Sequence, residues 1–260
     1  MPSNIFLKLY GVILGLLLGS FANVCIHRIP REESIVWPRS KCPGCGALIR
    51  WYQNIPLVSY VFLKGKCAHC AQPISLRYPL VELTMGLLFA WVFWCETSWA
   101  GLLIGAVLAF VLLVVSLIDW DWQIIPDFFS LGLLVFAVLV SPVNPRLGHD
   151  PLHRCLSAGV GVLAGYGGAW LVAQGGKRLF RKEALGGGDV KLLAGVGGLL
   201  GWTGVVNTWF LASLLGTLVF VFLKIQKRIT WGVYLPFGPF LAAGAWLHWS
   251  FPILWRWWLG

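Results

Sequence analysis

Five acidic side chains of this 260-residue chain stand at the edges of apolar runs: Glu82, Asp119, Asp121, Asp127 and Asp189. Ionisable groups at such depth are costly, so they are functional candidates by default. Asp189 closes the run Leu185-Gly-Gly-Gly-Asp189. The three glycines remove side-chain bulk and let backbone or substrate approach a carboxylate at a helix start. The competing reading is that Asp189 only caps the helix that follows. Asp119, Asp121 and Asp127 lie in Ile118-Asp119-Trp-Asp121-Trp-Gln-Ile-Ile-Pro126-Asp127. Asp119 follows directly on an apolar run and is expected to be the most buried. Asp121 reads as an interfacial acid beside Trp120 and Trp122, and Asp127 as a cap on the helix after Pro126. Two close carboxylates can share one proton, the ionised one activating water while the protonated one polarises a scissile carbonyl. No serine or cysteine nucleophile signature competes, and no HExxH-like histidine pair suggests a metalloprotease. A transporter relaying protons through the same acids is the main rival. Glu82 is expected either to pair with Arg77 or to support the site.

A second cluster is built from sulfur. The chain reads Cys42-Pro-Gly-Cys45-Gly46 and later Cys67-Ala-His-Cys70, with 21 residues between Cys45 and Cys67. Two such knuckles can offer four thiolates to one tetrahedral Zn²⁺, with Gly46 allowing the tight turn around the metal. A pair of disulfides or a redox CxxC would use the same cysteines, and His69 could replace a thiolate. Cytoplasmic placement, which the distribution of basic residues supports, disfavours stable disulfides. Cys25, Cys95 and Cys155 sit in or beside apolar segments, where a small hydrophobe is the expected role.

Positioning these groups falls to a membrane. Apolar residues make up 58% of the chain and charged residues 12%, about half the usual share for a soluble domain. Mean hydropathy is +0.78. A water-soluble globule of this length could not hide so much apolar surface, which excludes a cytosolic enzyme, a disordered tail and a disulfide-stapled secreted module. Candidate spans fall near 5–25, 79–95, 101–118, 128–142, 157–173, 190–201, 205–223 and 233–251, and 190–223 can also be read as one bent span. The expected class is therefore a polytopic helical membrane protein of about eight transmembrane helices. The first span lacks a small-residue cleavage pattern and reads as retained rather than as a signal peptide. Of the 20 Lys and Arg residues, 16 fall in three linkers, Arg28 to Arg77, Lys177 to Lys191 and Lys224 to Arg228. With eight spans these lie on one side, which the positive-inside rule makes cytoplasmic, with both termini outside. Topology accounts for the net charge of +10, so no nucleic-acid partner is needed.

The organisation follows. Residues 1–26 form a first transmembrane helix and 27–78 a small cytoplasmic zinc-binding domain, too short to build much of a core unaided. Residues 79–260 form the remaining transmembrane domain. The apolar stretch 190–201 covers only about 18 Å as helix against a hydrocarbon core of about 30 Å. Asp189 is thus expected partway into the membrane, or under a thinned bilayer. Gly161/Gly165 and Gly197/Gly201 have the GxxxG-like spacing of close helix approach.

Taken together, these segments resemble the type IV prepilin peptidases, intramembrane aspartyl proteases of the Gly-x-Gly-Asp type. The similar stretches are Gly19-Ser-Phe-Ala-Asn23-Val-Cys-Ile-His-Arg28-Ile-Pro30, the CPGCG knuckle, Asn54-Ile-Pro-Leu-Val-Ser-Tyr60, and CAHC with Pro73-Ile-Ser-Leu-Arg77-Tyr-Pro-Leu-Val-Glu82. They continue through the IDWDWQIIPD and GGGDVKL segments to Pro236-Phe-Gly-Pro-Phe240. Gln53 stands where the family often has Glu. The resemblance implies an inner-membrane enzyme that cleaves the short basic leader of prepilins and pseudopilins on the cytoplasmic face. It also implies N-methylation of the new terminal residue from S-adenosylmethionine. The family's catalytic aspartates carry over to Asp119 and Asp189. It places methyl transfer near the zinc domain, with Gly65 and Lys66 as candidates, although no Gly-rich cofactor loop is visible. A peptidase without methyltransferase activity would show almost the same sequence, and a zinc-bearing membrane scaffold is the non-catalytic rival.

Overall fold

The computed structural model describes residues 5–180, 185–228 and 235–252, which are helical with no strands. Glu183, for which adjacent Arg181 and Lys182 make an ion pair the expected role, lies outside the described residues. The helices are α1 (Ile5–Arg28), α2 (Val58–Phe62), α3 (Arg77–Cys95), α4 (Trp99–Trp122), α5 (Asp127–Val140), α6 (Pro151–Phe180), α7 (Gly187–Ile225) and α8 (Gly238–Ser250). Among the described residues, α1, α3, α4, α6 and α7 are long and apolar enough to cross a bilayer, and α5 and α8 are shorter. Leu139 and Leu163 leave more than two-thirds of their surface uncovered by protein, as lipid-facing side chains do. The polytopic helical class holds.

The chain forms two compact units, Met1–Phe110 and Val111–Gly260. In the first, α1 and α3 meet along a glycine stripe, Gly11, Gly15 and Gly19, spaced every four residues on one face of α1. A Cβ at Gly15 would lie 2.6 Å from Phe89 Cβ, and one at Gly19 would lie 2.7 Å from the Cα of Glu82. Only glycine lets the two backbones come so close. Between these helices the chain makes short turns. Two isolated antiparallel bridges, Lys41 with Leu48 and Lys66 with Pro73, close the two cysteine knuckles.

In the second unit, α7 does not run straight. Gly201 has φ 71° and ψ 179°, a positive-φ extended backbone that is essentially open to glycine alone. A Cβ at Gly197 would sit 2.8 Å from Val205. In one continuous helix those residues would be about 12 Å apart, so the chain folds back at Gly201 into two arms. This separates the expected spans 190–201 and 205–223. The first arm packs on α6 backbone to backbone: a Cβ at Gly161 would collide with the Gly197 carbonyl, and one at Gly165 with the Leu193 carbonyl. Asn144, wholly buried, donates to the Leu199 carbonyl at 2.9 Å and fixes the far end of that arm.

Candidate active site and metal centre

α4 ends because Gln123 turns into the left-handed region at φ 55° and an extended Ile-Ile-Pro follows, which resists continued helix. This places Asp119 in the last helical turn, 6% exposed, while Asp121 and Asp127 are exposed. The burial order expected from the apolar run is the one observed. Asp119 Oδ2 accepts the backbone N–H of Gly238 at 2.8 Å. Gly238 is the first residue of α8, so the carboxylate satisfies one of the orphan N–H groups of that helix start. A Cβ at Gly238 would lie 2.7 Å from that oxygen, which is why the Pro-Phe-Gly-Pro-Phe segment has glycine at its centre.

Asp189 is the third residue of α7. Its Oδ2 accepts the N–H of Gly186, the N-cap residue of α7, at 3.1 Å, the one half of a capping box that a glycine N-cap permits. Capping occupies only that oxygen. Oδ1 is buried without a hydrogen-bond partner, an arrangement that costs free energy and marks an atom awaiting one. Gly188 is pressed against the Ile-Ile-Pro segment, where a Cβ would meet Ile125 Cβ at 2.7 Å. That contact brings the glycine run beside the turn after Asp119, and the two carboxylates interact electrostatically. Leu185, Val190, Phe240 and Leu241 form an apolar cluster around the same segments. The glycines thus admit a close approach, and Asp119 and Asp189 lie near enough to interact, with Asp189 Oδ1 free to accept.

Asp127 does not cap α5. Pro126 takes the N-cap position and Asp127 lies in the first turn, where Lys191 Nζ meets its Oδ1 at 2.6 Å. This ion pair ties the start of α5 to the first turns of α7. Nothing in the spacing of Asp127 and Lys191, 64 residues apart, indicated the pairing.

In the first unit, the Sγ atoms of Cys42, Cys45, Cys67 and Cys70 lie within 4.8 Å of one another. None is disulfide-bonded, and His69 is not in the cluster. A tetrahedral Zn–S distance of about 2.3 Å sets sulfurs about 3.8 Å apart, and Cys42 and Cys70 are 3.9 Å apart. The donor set therefore fits a metal ion. The knuckles share one design: Cys42 N–H donates to the Ala47 carbonyl and Cys67 N–H to Gln72, while Gly46 and Ala71 take φ 71° and 57°. The backbone N–H groups of Cys70 and His69 pull the Cys67 thiol down to about 6, favouring the thiolate that binds metal.

Glu82 does not reach for Arg77. Its Oε2 accepts the Leu57 N–H at 2.9 Å, and the Ser20 hydroxyl is its second partner. Beside it opens a cavity of about 510 Å³ running from Ser20 to Glu82 under the cysteine knuckles. Gly65 and Lys66 are not among its lining residues. Gly65 makes a positive-φ turn against the Tyr60 hydroxyl, and the Lys66 N–H donates to the Leu63 carbonyl at 3.0 Å.

These features define a class: a polytopic helical membrane protein with two neighbouring aspartates and a four-cysteine cluster that could hold a metal ion. The chain belongs to the type IV leader peptidase family, whose model matches residues 106–221, and the bacterial peptidase A24 N-terminal domain matches residues 13–96. It is 36% identical to the prepilin leader peptidase/N-methyltransferase of Neisseria gonorrhoeae, over 95% of this chain and 93% of the relative. The protein of the same name from Pseudomonas aeruginosa is 37% identical over 91% and 87% of the two chains. That from Aeromonas salmonicida is 35% identical over 95% and 92%. No solved structure matches the chain.

Proposed function

We propose that the chain cleaves the short basic leader from type IV prepilins and pseudopilins and methylates the exposed N-terminus. The observation that carries the peptidase reading is the open Oδ1 of Asp189 beside Asp119. The carboxylate pair, Asp119 and Asp189, shares one proton. The ionised member takes a proton from water as the water oxygen attacks the scissile carbonyl carbon. The protonated member donates to the carbonyl oxygen. Collapse breaks the C–N bond, and the leaving amine takes a proton from the pair. The Gly238 N–H holds Asp119 in place throughout, and the glycines before Asp189 leave room for an extended substrate backbone.

Zn²⁺ fits Cys42, Cys45, Cys67 and Cys70 as a structural ion that staples residues 27–78, the segment we assign to the cytoplasmic zinc domain between the first helix and residues 79–260. S-adenosylmethionine supplies the methyl group. The partition of 16 of 20 basic residues into three linkers supports a site facing the cytoplasm across the bacterial inner membrane. A prepilin presents its basic leader on that side, next to an acidic site at shallow depth. The test is incubation of the purified protein with a prepilin peptide and labelled S-adenosylmethionine, scoring cleavage and methylation separately. A proton-coupled transporter or a zinc scaffold would do neither.

A further inference from the structure

Glu82 is 9% exposed and lines the cavity under the cysteine knuckles. Its partners are both neutral, the Leu57 N–H and the Ser20 hydroxyl, and no cation pairs with it among the described residues. A carboxylate held this deep without a countercharge favours a cationic ligand over a neutral one of the same shape. The basic groups of the lining do not meet that need. Arg28 donates to the carbonyls of Ser34 and Pro38 at 2.9 and 2.8 Å, while His27, Lys41 and His69 are exposed. The cavity volume lies in the range of small-molecule sites, and its wall mixes apolar surface with Asn23, Tyr60 and Tyr78.

We propose that this cavity holds the sulfonium methyl donor, with Glu82 as its countercharge. The inference rests on the methyl-transfer reading above and assigns it a site. In the transfer, the neutral amine of the cleaved substrate forms an N–C bond as the C–S bond breaks. The bonding pair stays on sulfur, leaving a neutral thioether, and the positive charge passes to the methylated nitrogen. The amine has already given its proton to solvent. Donor and methylated product are cations while the spent donor is not. A fixed carboxylate therefore offsets charge through the transfer and releases S-adenosylhomocysteine more readily than it releases S-adenosylmethionine. Gly19 makes the placement possible, because its missing Cβ lets α1 seat against the Glu82 backbone.

The test measures binding to the full-length protein by equilibrium dialysis, using S-adenosylmethionine, its amine isostere sinefungin, and S-adenosylhomocysteine. The wild type should prefer the two cations over the neutral sulfide by about tenfold or more. Glu82→Gln keeps an oxygen for the Leu57 N–H and should bring that preference close to unity by weakening the cations alone. Ala68→Trp, at an exposed position on the lining, should weaken all three ligands about tenfold by filling volume. If Glu82→Gln keeps the preference, or Ala68→Trp binds S-adenosylmethionine normally, this site is wrong while methyl transfer stands. If the wild type binds none of the three and labels no pre-cleaved peptide, the methyl-transfer reading falls and takes the inference with it.

Discussion

The Gly238 N–H and the Asp119 carboxylate, 119 residues apart in sequence, meet at 2.8 Å where the start of α8 abuts the end of α4. The bond satisfies a helix-end donor and fixes one acid of the pair. Gly238→Ala should push the carboxylate aside, because a Cβ there would lie 2.7 Å from Oδ2 and 3.0 Å from Cγ. Misplacing a reacting group by about 1 Å can cost 10²-fold. The expected result is a loss of kcat on that order with the zinc content unchanged. Normal kcat in Gly238→Ala would show that the contact does not position Asp119 for catalysis.

The acids themselves give a sharper contrast. Asp119→Asn and Asp189→Asn keep an oxygen for the Gly238 and Gly186 N–H groups, so both variants should fold. Neither amide can exchange the proton that cleavage requires. Each should lose cleavage by at least about 10²- to 10⁴-fold, while methyl transfer to a pre-cleaved peptide persists. Asp121→Asn, at an exposed position, should retain measurable cleavage. An inactive Asp121→Asn beside an active Asp119→Asn would mean that the wrong member of the cluster has been chosen.

Much of this site was legible in the sequence because its signals are local. An acid directly after an apolar run must be buried at a helix end, and two CxxC knuckles converge on one point whatever loop joins them. What was not legible depends on distant backbone. The Gly238 donor, the Lys191–Asp127 pair and the Leu57 N–H on Glu82 are set by which helix ends meet, and no local pattern encodes that. The glycine stripe of α1 is different: its spacing of four is as plain in the sequence as that of Gly161/Gly165 and Gly197/Gly201, yet only those two pairs were read as close approaches. Gly65 and Lys66 are candidates through resemblance alone, and no local pattern marks the cavity beside Glu82. The length of 190–201 pointed to a short arm, and Gly201 supplies its cause.

The four-cysteine centre should be a stability element. Cys42 is the buried member, so Cys42→Ser should lose the metal and expose residues 27–78 to proteolysis. Elemental analysis of the wild type should find one Zn²⁺ per chain. Ala71 sits at φ 57° where its counterpart in the other knuckle is Gly46. Ala71→Gly should therefore remove a left-handed strain of about 1 kcal/mol and slow proteolysis of the domain. A folded, fully reduced sample without stoichiometric metal would refute the assignment.

Two glycines of α6, two residues apart, should respond to the same substitution with opposite sign. Gly159 is exposed, and a Cβ built there meets nothing within 4 Å. Gly159→Ala therefore adds only helix propensity and should stabilise the protein by up to about 1 kcal/mol. Gly161 faces the first arm of α7, where its Cβ would collide with the Gly197 carbonyl and lie 3.0 Å from the Cα of Gly201. Both of those atoms are backbone, so no side chain can move out of the way. Gly161→Ala gains the same propensity but forces the two helices apart, with overpacking costs of about 1–3 kcal/mol. The same displacement shifts the arm that begins with Asp189, so this variant should also lose cleavage activity while Gly159→Ala keeps it. Thermal unfolding in detergent, read alongside cleavage of a prepilin peptide, checks both signs. Equal shifts for the two variants would show that α6 and α7 do not make the close contact described.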